Sequence, residues 1–194
     1  MSKSDPAASK RERNKTIRWV VTIFIVTIFI SDAISLLSDV IMENSSVFVA
    51  FLILLAIILI GIIFDIIGMA VASADEKPFH SMAARKVPGA QESIALLRNA
   101  ERVSSICNDV VGDICGVVSG SASATIAVQI ISNFDFSWPQ IVSLAMSALA
   151  AGLTVGGKAI GKSFAVNSST AIVHSVGKCI HWLHSLTKPK KKTK

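Results

Sequence analysis

The sequence predicts an all-α integral membrane protein: four transmembrane helices, a cytoplasmic helical elbow between the second and third, and a C-terminal amphipathic helix. Three observations predict it. Of 194 residues 52% are apolar and only 16% charged, and the mean hydropathy is +0.60, too apolar for a typical soluble domain. All 19 Lys and Arg fall into three blocks, Lys3 to Arg18, Lys77 to Arg102 and Lys158 to Lys194. Between the two long apolar regions lies a polar, charged stretch from Ala72 to Gly120, with acidic residues at both of its junctions. Membranes retain basic segments on the cytoplasmic side, so the three blocks share one side and each gap between them crosses an even number of times. The expectation is a multi-pass protein of the plasma (inner) membrane with both termini in the cytoplasm.

Residues 1–18 are polar and basic without periodicity and read as a disordered cytoplasmic arm. The transmembrane domain is expected over 19–165. Its first span, Trp19 to Leu37, is long enough to cross and lacks a small-x-small cleavage site, so it reads as an uncleaved helix. A second span follows at 47–72, long enough to tilt. The turn between the two carries Asp39 and Glu43 and no base, which suits an outside loop. The elbow, 75–103, is broken by Pro88-Gly89, because proline cannot continue a helix and the residue before it avoids the helical region. Ala90, Ile94 and Leu97 give its second piece a weakly apolar face. Spans three and four are expected at 104–131 and 140–157, joined by an outside turn with Phe134, Phe136 and Trp138 as interfacial anchors. In 166–187 an apolar stripe of Ile172, Val176, Cys179, Ile180 and Leu183 predicts an interfacial helix. The lysine-rich tail, 188–194, would lie against anionic lipid head groups or stay solvated.

Small residues recur at helical spacing in two spans: Gly112, Gly116 and Gly120 in the third, Gly152 and Gly156 in the fourth. Such rows let helix backbones approach closely in lipid, within or between subunits. A conduction path lined by them is the sharper alternative. Acidic residues are more pointed. Asp65 lies inside the second span, Asp75 and Glu76 at its cytoplasmic end, and Asp109 and Asp113 near the same end of the third. The spacing puts Asp65, Gly68, Ala72 and Asp75 or Glu76 near one helix face and Asp109, Asp113, Gly116 and Gly120 near another. Carboxylates in a bilayer face a bundle interior, a water-filled cavity or a cation. Hard oxygen ligands suit Mg²⁺, with Ser73 able to complete a shell. The competing reading places these carboxylates in the head-group region, or pairs them with Arg102 or Lys158.

Cys107, Cys115 and Cys179 have neither disulfide nor zinc spacing and read as reduced packing residues. His174, His181 and His184 lack a fixed carboxylate or thiolate partner in the sequence and read as interfacial rather than as a transition-metal site. No nucleophile-and-base pair, phosphate loop or zinc-hydrolase signature is present, so an enzyme is not expected. The basic blocks lack interleaved aromatics, and membrane proximity explains them better than nucleic acid.

Three segments in order, Ser73-Ala74-Asp75-Glu76, Asn108-Asp109-Val110-Val111-Gly112-Asp113, and Gly157-Lys158-Ala159-Ile160-Gly161-Lys162-Ser163-Phe164-Ala165, carry a resemblance. The region from Val47 to Leu186 resembles the transmembrane domain of the CNNM/CorB/CorC family of Mg²⁺ (and Co²⁺) transporters, without the cytoplasmic CBS domains and with one span added at the front. In that family the corresponding motifs are Ser-x-Ser-Glu, Gly-Asn-x-Leu-x-Asn and Gly-Glu-x-x-Pro-Lys-x-x-Ala. The resemblance implies a homodimer with a polar, cytoplasm-facing cavity that binds or transports a divalent cation. By this reading Ser73, Asp75, Glu76, Asp109 and Asp113 surround the ion, with Asp65, Asn108 and Lys158 as cavity or switch residues. The chain departs from the family in two places. Asp109 and Asp113 stand where the family has asparagines, and Lys158 and Gly161 where it has glutamate and proline. An ammonium at 158 would repel Mg²⁺ unless paired with Asp109 or Asp113. The alternative function is therefore a non-transporting membrane scaffold or partner subunit in which Lys158 neutralises the former cation site.

Overall fold

A computed structural model describes residues 6–43, 45–133 and 138–187, with side chains over 16–42, 45–133 and 138–186. The aromatic anchors Phe134 and Phe136 and the tail 188–194 lie outside the described residues. The described chain is helical: α1 (Pro6–Glu43), α2 (Val47–Ser73), α3 (Lys77–Ala84), α4 (Ala90–Arg98), α5 (Ala100–Ser105), a π-helical segment (Ile106–Gly112), α6 (Asp113–Asn133), α7 (Pro139–Asn167) and α8 (Ser169–Thr187). Four stretches among them are long and apolar enough to cross a membrane: Thr16–Met42, Val47–Ser73, Ala100–Asn133 and Pro139–Asn167.

Two ends differ from the sequence expectation. The stretch read as an arm belongs to α1 from Pro6 onward. Proline suits a first helical position, and the Ala, Lys, Arg and Glu residues that follow are good helix formers. Helix α7 continues ten residues past Gly157, so the motif around Lys158 lies within the helix and not at its exit.

Helix α2 is the central element, touching α4 to α8 and the π-helical segment. It begins at Ser46, which is extended (φ −66°, ψ 154°) and whose Oγ accepts from Val49 N at 3.5 Å. On one side Gly61 faces Cys115 of α6, where an added Cβ would come within 2.8 Å of Cys115 Cβ. On the other, Ile62 and Ile66 press onto Gly157 and Gly161 of α7, positions where any side chain would collide with them. Met42, Ala50, Leu54, Ile58, Ala122 and Ile126 make one buried cluster where α1, α2 and α6 meet. Gln129 Nε2 ties the same end together by donating to Met42 O at 2.7 Å.

At the opposite end of α2 the polar connection folds back on itself. Helix α3 ends in a Schellman turn: Lys86 adopts φ 55°, Lys86 N donates to Ala83 O at 2.9 Å and Val87 N to Met82 O at 3.0 Å. Pro88 then blocks any continuation. Gly89, at φ +85°, opens α4 against the backbone of Gly177 and Lys178 in α8, a conformation and a clearance that only glycine meets. Ser93 Oγ, fully buried, lies 2.8 Å from Gly89 O and 3.2 Å from Val173 O, pinning α4 to α8. Phe79, Ala70, Val71, Ala165 and Val173 fill the space beneath. The packed face of α8 therefore runs through Val173 and Gly177, while Cys179 and Leu183 of the expected stripe are exposed.

Candidate functional site

The third apolar stretch is not a uniform α-helix. Over Ile106–Gly112 it widens into a π-helix, a form that shifts the i→i−4 ladder and often marks functional positions. This segment faces the middle of α2. Asn108 lies against Gly68, where a Cβ would overlap its amide, and Asn108 Nδ2 donates to Ser104 Oγ at 3.3 Å.

Lys158 reaches into the same seam from α7. Its Nζ donates to Gly112 O at 3.2 Å and stands 3.8 Å from Asp113 Oδ1 and 3.9 Å from Asp65 Oδ1. The Lys158 side chain is 20% exposed, that of Asp65 9% and that of Asp113 72%. The pair with Asp65 is thus an interior ion pair, and the pair with Asp113 is open to its surroundings. The other oxygen of Asp65, Oδ2, and Asn108 Oδ1 are buried with no hydrogen-bond partner among the described residues.

The remaining expected ligands stand elsewhere. Ser73 Oγ donates back to Met69 O at 2.8 Å. Asp75 Oδ1 accepts from Lys77 N at 3.1 Å, at the start of α3. Glu76 Oε1 accepts from Arg98 Nε at 3.2 Å and lies 3.1 Å from His80 Nε2. Asp109 Oδ2 accepts from Ser105 Oγ at 2.8 Å. Asp75 and Asp109 each bond a near neighbour in sequence, Glu76 pairs with Arg98 and Asp113 faces Lys158, so among the described residues Ser73, Asp75, Glu76, Asp109 and Asp113 do not form one shell. Among the described residues no three His, Cys, Asp or Glu side chains are grouped to hold a metal ion. The polar centre instead contains Asp65, Asp113, Asn108, Lys158 and the carbonyl of Gly112.

The glycine rows divide as well. Gly112 closes on Lys158 Nζ and Cys107 O. Around Gly116, Gly120, Gly152 and Gly156 nothing among the described residues lies within 4 Å of an added Cβ, so these four do not pack the described helices together inside one chain. Gly116 and Gly120 instead line a groove of about 250 Å³ between α6 and α7, together with Ser119, Ser123, Ala150 and Thr154. Close contacts between the long helices fall instead at Gly61 and Gly68 of α2 and at Gly157 and Gly161 of α7, the last two again four residues apart.

One more ion pair has no sequence signal. His181 Nδ1 of α8 lies 2.8 Å from Glu92 Oε1 of α4, and this hydrogen bond holds the Glu92 carboxyl below its ordinary range. The three cysteines are free, Cys107 and Cys115 buried and Cys179 exposed. No family model, no curated protein and no solved structure matches the chain.

Proposed function

We propose that this chain is a non-transporting membrane scaffold or partner subunit, in which the ammonium of Lys158 supplies the positive charge that a bound cation would otherwise bring. The observation that carries the reading is the position of Lys158 Nζ, 3.2 Å from Gly112 O and within 3.9 Å of both Asp65 and Asp113. A divalent cation about 4 Å from that ammonium would meet roughly 8 kcal/mol of repulsion at an effective dielectric of 20. The open faces of Gly116, Gly120, Gly152 and Gly156 suit close approach by the helices of a second copy. Homodimerisation through α6 and α7 is the assembly this reading takes from them. The likeness to the CNNM/CorB/CorC transporters rests on the three motifs alone.

Purified full-length chain, melted with and without millimolar Mg²⁺, tests the proposal. No thermal stabilisation of the wild type is expected, and proteoliposomes holding a Mg²⁺ indicator should show no flux above empty vesicles. Strong stabilisation of the wild type by Mg²⁺, or flux that depends on Asp65, would sink it.

Divalent-cation binding or transport is the second reading, and one observation favours it. Asp65 Oδ2 and Asn108 Oδ1 are two buried acceptors without a partner among the described residues, on the two sides of the seam between α2 and the π-helical segment. They would receive an ion only with Lys158 withdrawn, so Lys158→Met should then gain Mg²⁺-dependent stabilisation that the wild type lacks.

A further inference from the structure

A second polar site lies at the basic end of the bundle, apart from Lys158. Where α1, α5 and the end of α2 meet, a cavity of about 800 Å³ is lined by Trp19, Ala72, Glu101, Arg102, Ser104 and Asp109, among others. Its volume falls in the range of about 300–1,000 Å³ usual for small-ligand sites. The guanidinium carbon of Arg102 stands 5.5 Å from the centroid of the Trp19 ring, a cation–π contact that holds the base at the cavity wall. Among the described residues Arg102 makes no ion pair, and both Glu101 and Asp109 line the same space. The cavity therefore presents one planar cation and two carboxylates, a pattern that complements a ligand carrying both an anion and a cation.

Its level along the helices narrows the choice. Trp19 and Arg102 stand at the ends of the first and third apolar stretches, where tryptophan and arginine mark a membrane–water boundary. Below them α1 presents the exposed apolar side chains Val20, Phe24 and Ile28, a surface along which acyl chains can lie. We propose that this cavity receives the headgroup of a phospholipid with a primary ammonium, phosphatidylethanolamine in class. Arg102 would pair with the phosphate as a fork of donors, and Glu101 and Asp109 would accept from the ammonium. A quaternary ammonium has no N–H to donate and an anionic glycerol headgroup has no cation, so both leave the carboxylates unmatched.

Native mass spectrometry of the full-length chain, with phosphatidylethanolamine, phosphatidylcholine or phosphatidylglycerol added in turn, tests this. The wild type should bind phosphatidylethanolamine about tenfold more tightly than either of the others, the factor one charge-assisted hydrogen bond carries. Arg102→Gln should lose tight binding, and Arg102→Lys should keep a large part of it. Arg102 is exposed, and an unchanged melting temperature verifies that its variants fold. The double variant Glu101→Gln with Asp109→Asn should still bind phospholipid but no longer separate ethanolamine from choline. The proposal is overturned by equal binding of the ethanolamine and choline lipids to the wild type. It is equally overturned by tighter binding of phosphatidylglycerol, which would mean an unselective basic patch. Full displacement of the lipid by glycerophosphoethanolamine would show a soluble ligand instead of a bilayer lipid.

Discussion

Replacing Lys158 by methionine keeps most of the side-chain volume and removes the charge, which isolates what the ammonium does. At 3.9 Å from Asp65 and an effective dielectric of about 20, the attraction is about 4 kcal/mol before desolvation is subtracted. Truncating one partner of a buried pair typically costs about 3–5 kcal/mol, because the surviving charge is left uncompensated. Here Asp65 is the survivor, with a side chain only 9% exposed and one oxygen already without a partner among the described residues. The separation is too long for a direct hydrogen bond, so the lower figure of about 3 kcal/mol applies. Asp113 adds no more than about 1 kcal/mol, since its carboxylate is largely exposed. In a chain of this size such a loss lowers the melting temperature by about 6–12 °C. Thermal melts of purified protein, followed by tryptophan emission, would read it. Adding Asp65→Asn to Lys158→Met should recover most of the loss, since a neutral pair leaves no orphaned charge. If Lys158→Met melts with the wild type, and Asp65→Asn gives no recovery, the ion pair does not hold this site together.

The glycines should separate by position. Gly68→Ala drives a methyl into Asn108 and Cys107 and should cost about 1–3 kcal/mol. Gly120→Ala meets nothing among the described residues of its own chain and should raise monomer stability by up to about 1 kcal/mol while weakening self-association measured by energy transfer in bilayers. The Glu92–His181 contact predicts a pH dependence of definite sign. Because the folded-state carboxyl titrates below its ordinary value of 4.5, its contribution is complete above that value and is lost as pH falls through the lowered one. Glu92→Gln should flatten the acid limb of the melting curve, and an identical acid limb in the variant would refute the contact. Maleimide should label Cys179 in the folded protein and reach Cys107 and Cys115 only after unfolding, as mass spectrometry can count.

The four apolar stretches were legible because length and hydropathy report them directly. The second span is the clearest, expected at 47–72 and found as Val47–Ser73. Boundaries failed where charge misleads. Lys158 and Lys162 read as the end of the fourth span, yet Lys158 turns inward to a carboxylate and leaves the helix intact. The meeting of Lys158 with Asp65 lay open in the sequence only as a choice among partners, since residues 93 positions apart are joined by tertiary packing alone. Asn108, Asp109 and Gly112 marked Ile106 to Gly112 as unusual for a span, but not as π-helical, since that register depends on the packing against α2. Ser73, Asp75 and Glu76 were expected beside Asp109 from the order of two motifs along the chain, which does not fix their distance in space. Ser73 and Asp75 bond locally, to Met69 O and Lys77 N, and Glu76 pairs across the elbow with Arg98.

Gly157 stands next to Lys158, and its missing side chain lets Ile62 settle between the helices. Since Ile62 and Asp65 are three residues apart on α2, and Gly157 and Lys158 adjacent on α7, this apolar contact measures out the reach from ammonium to carboxylate. A methyl added at 157 would meet the Cδ1 end of Ile62 first, and that end can turn aside before the helices move. Apolar fit and electrostatics thus share one stretch of the α2–α7 seam, the glycine setting the approach and the neighbouring lysine using it.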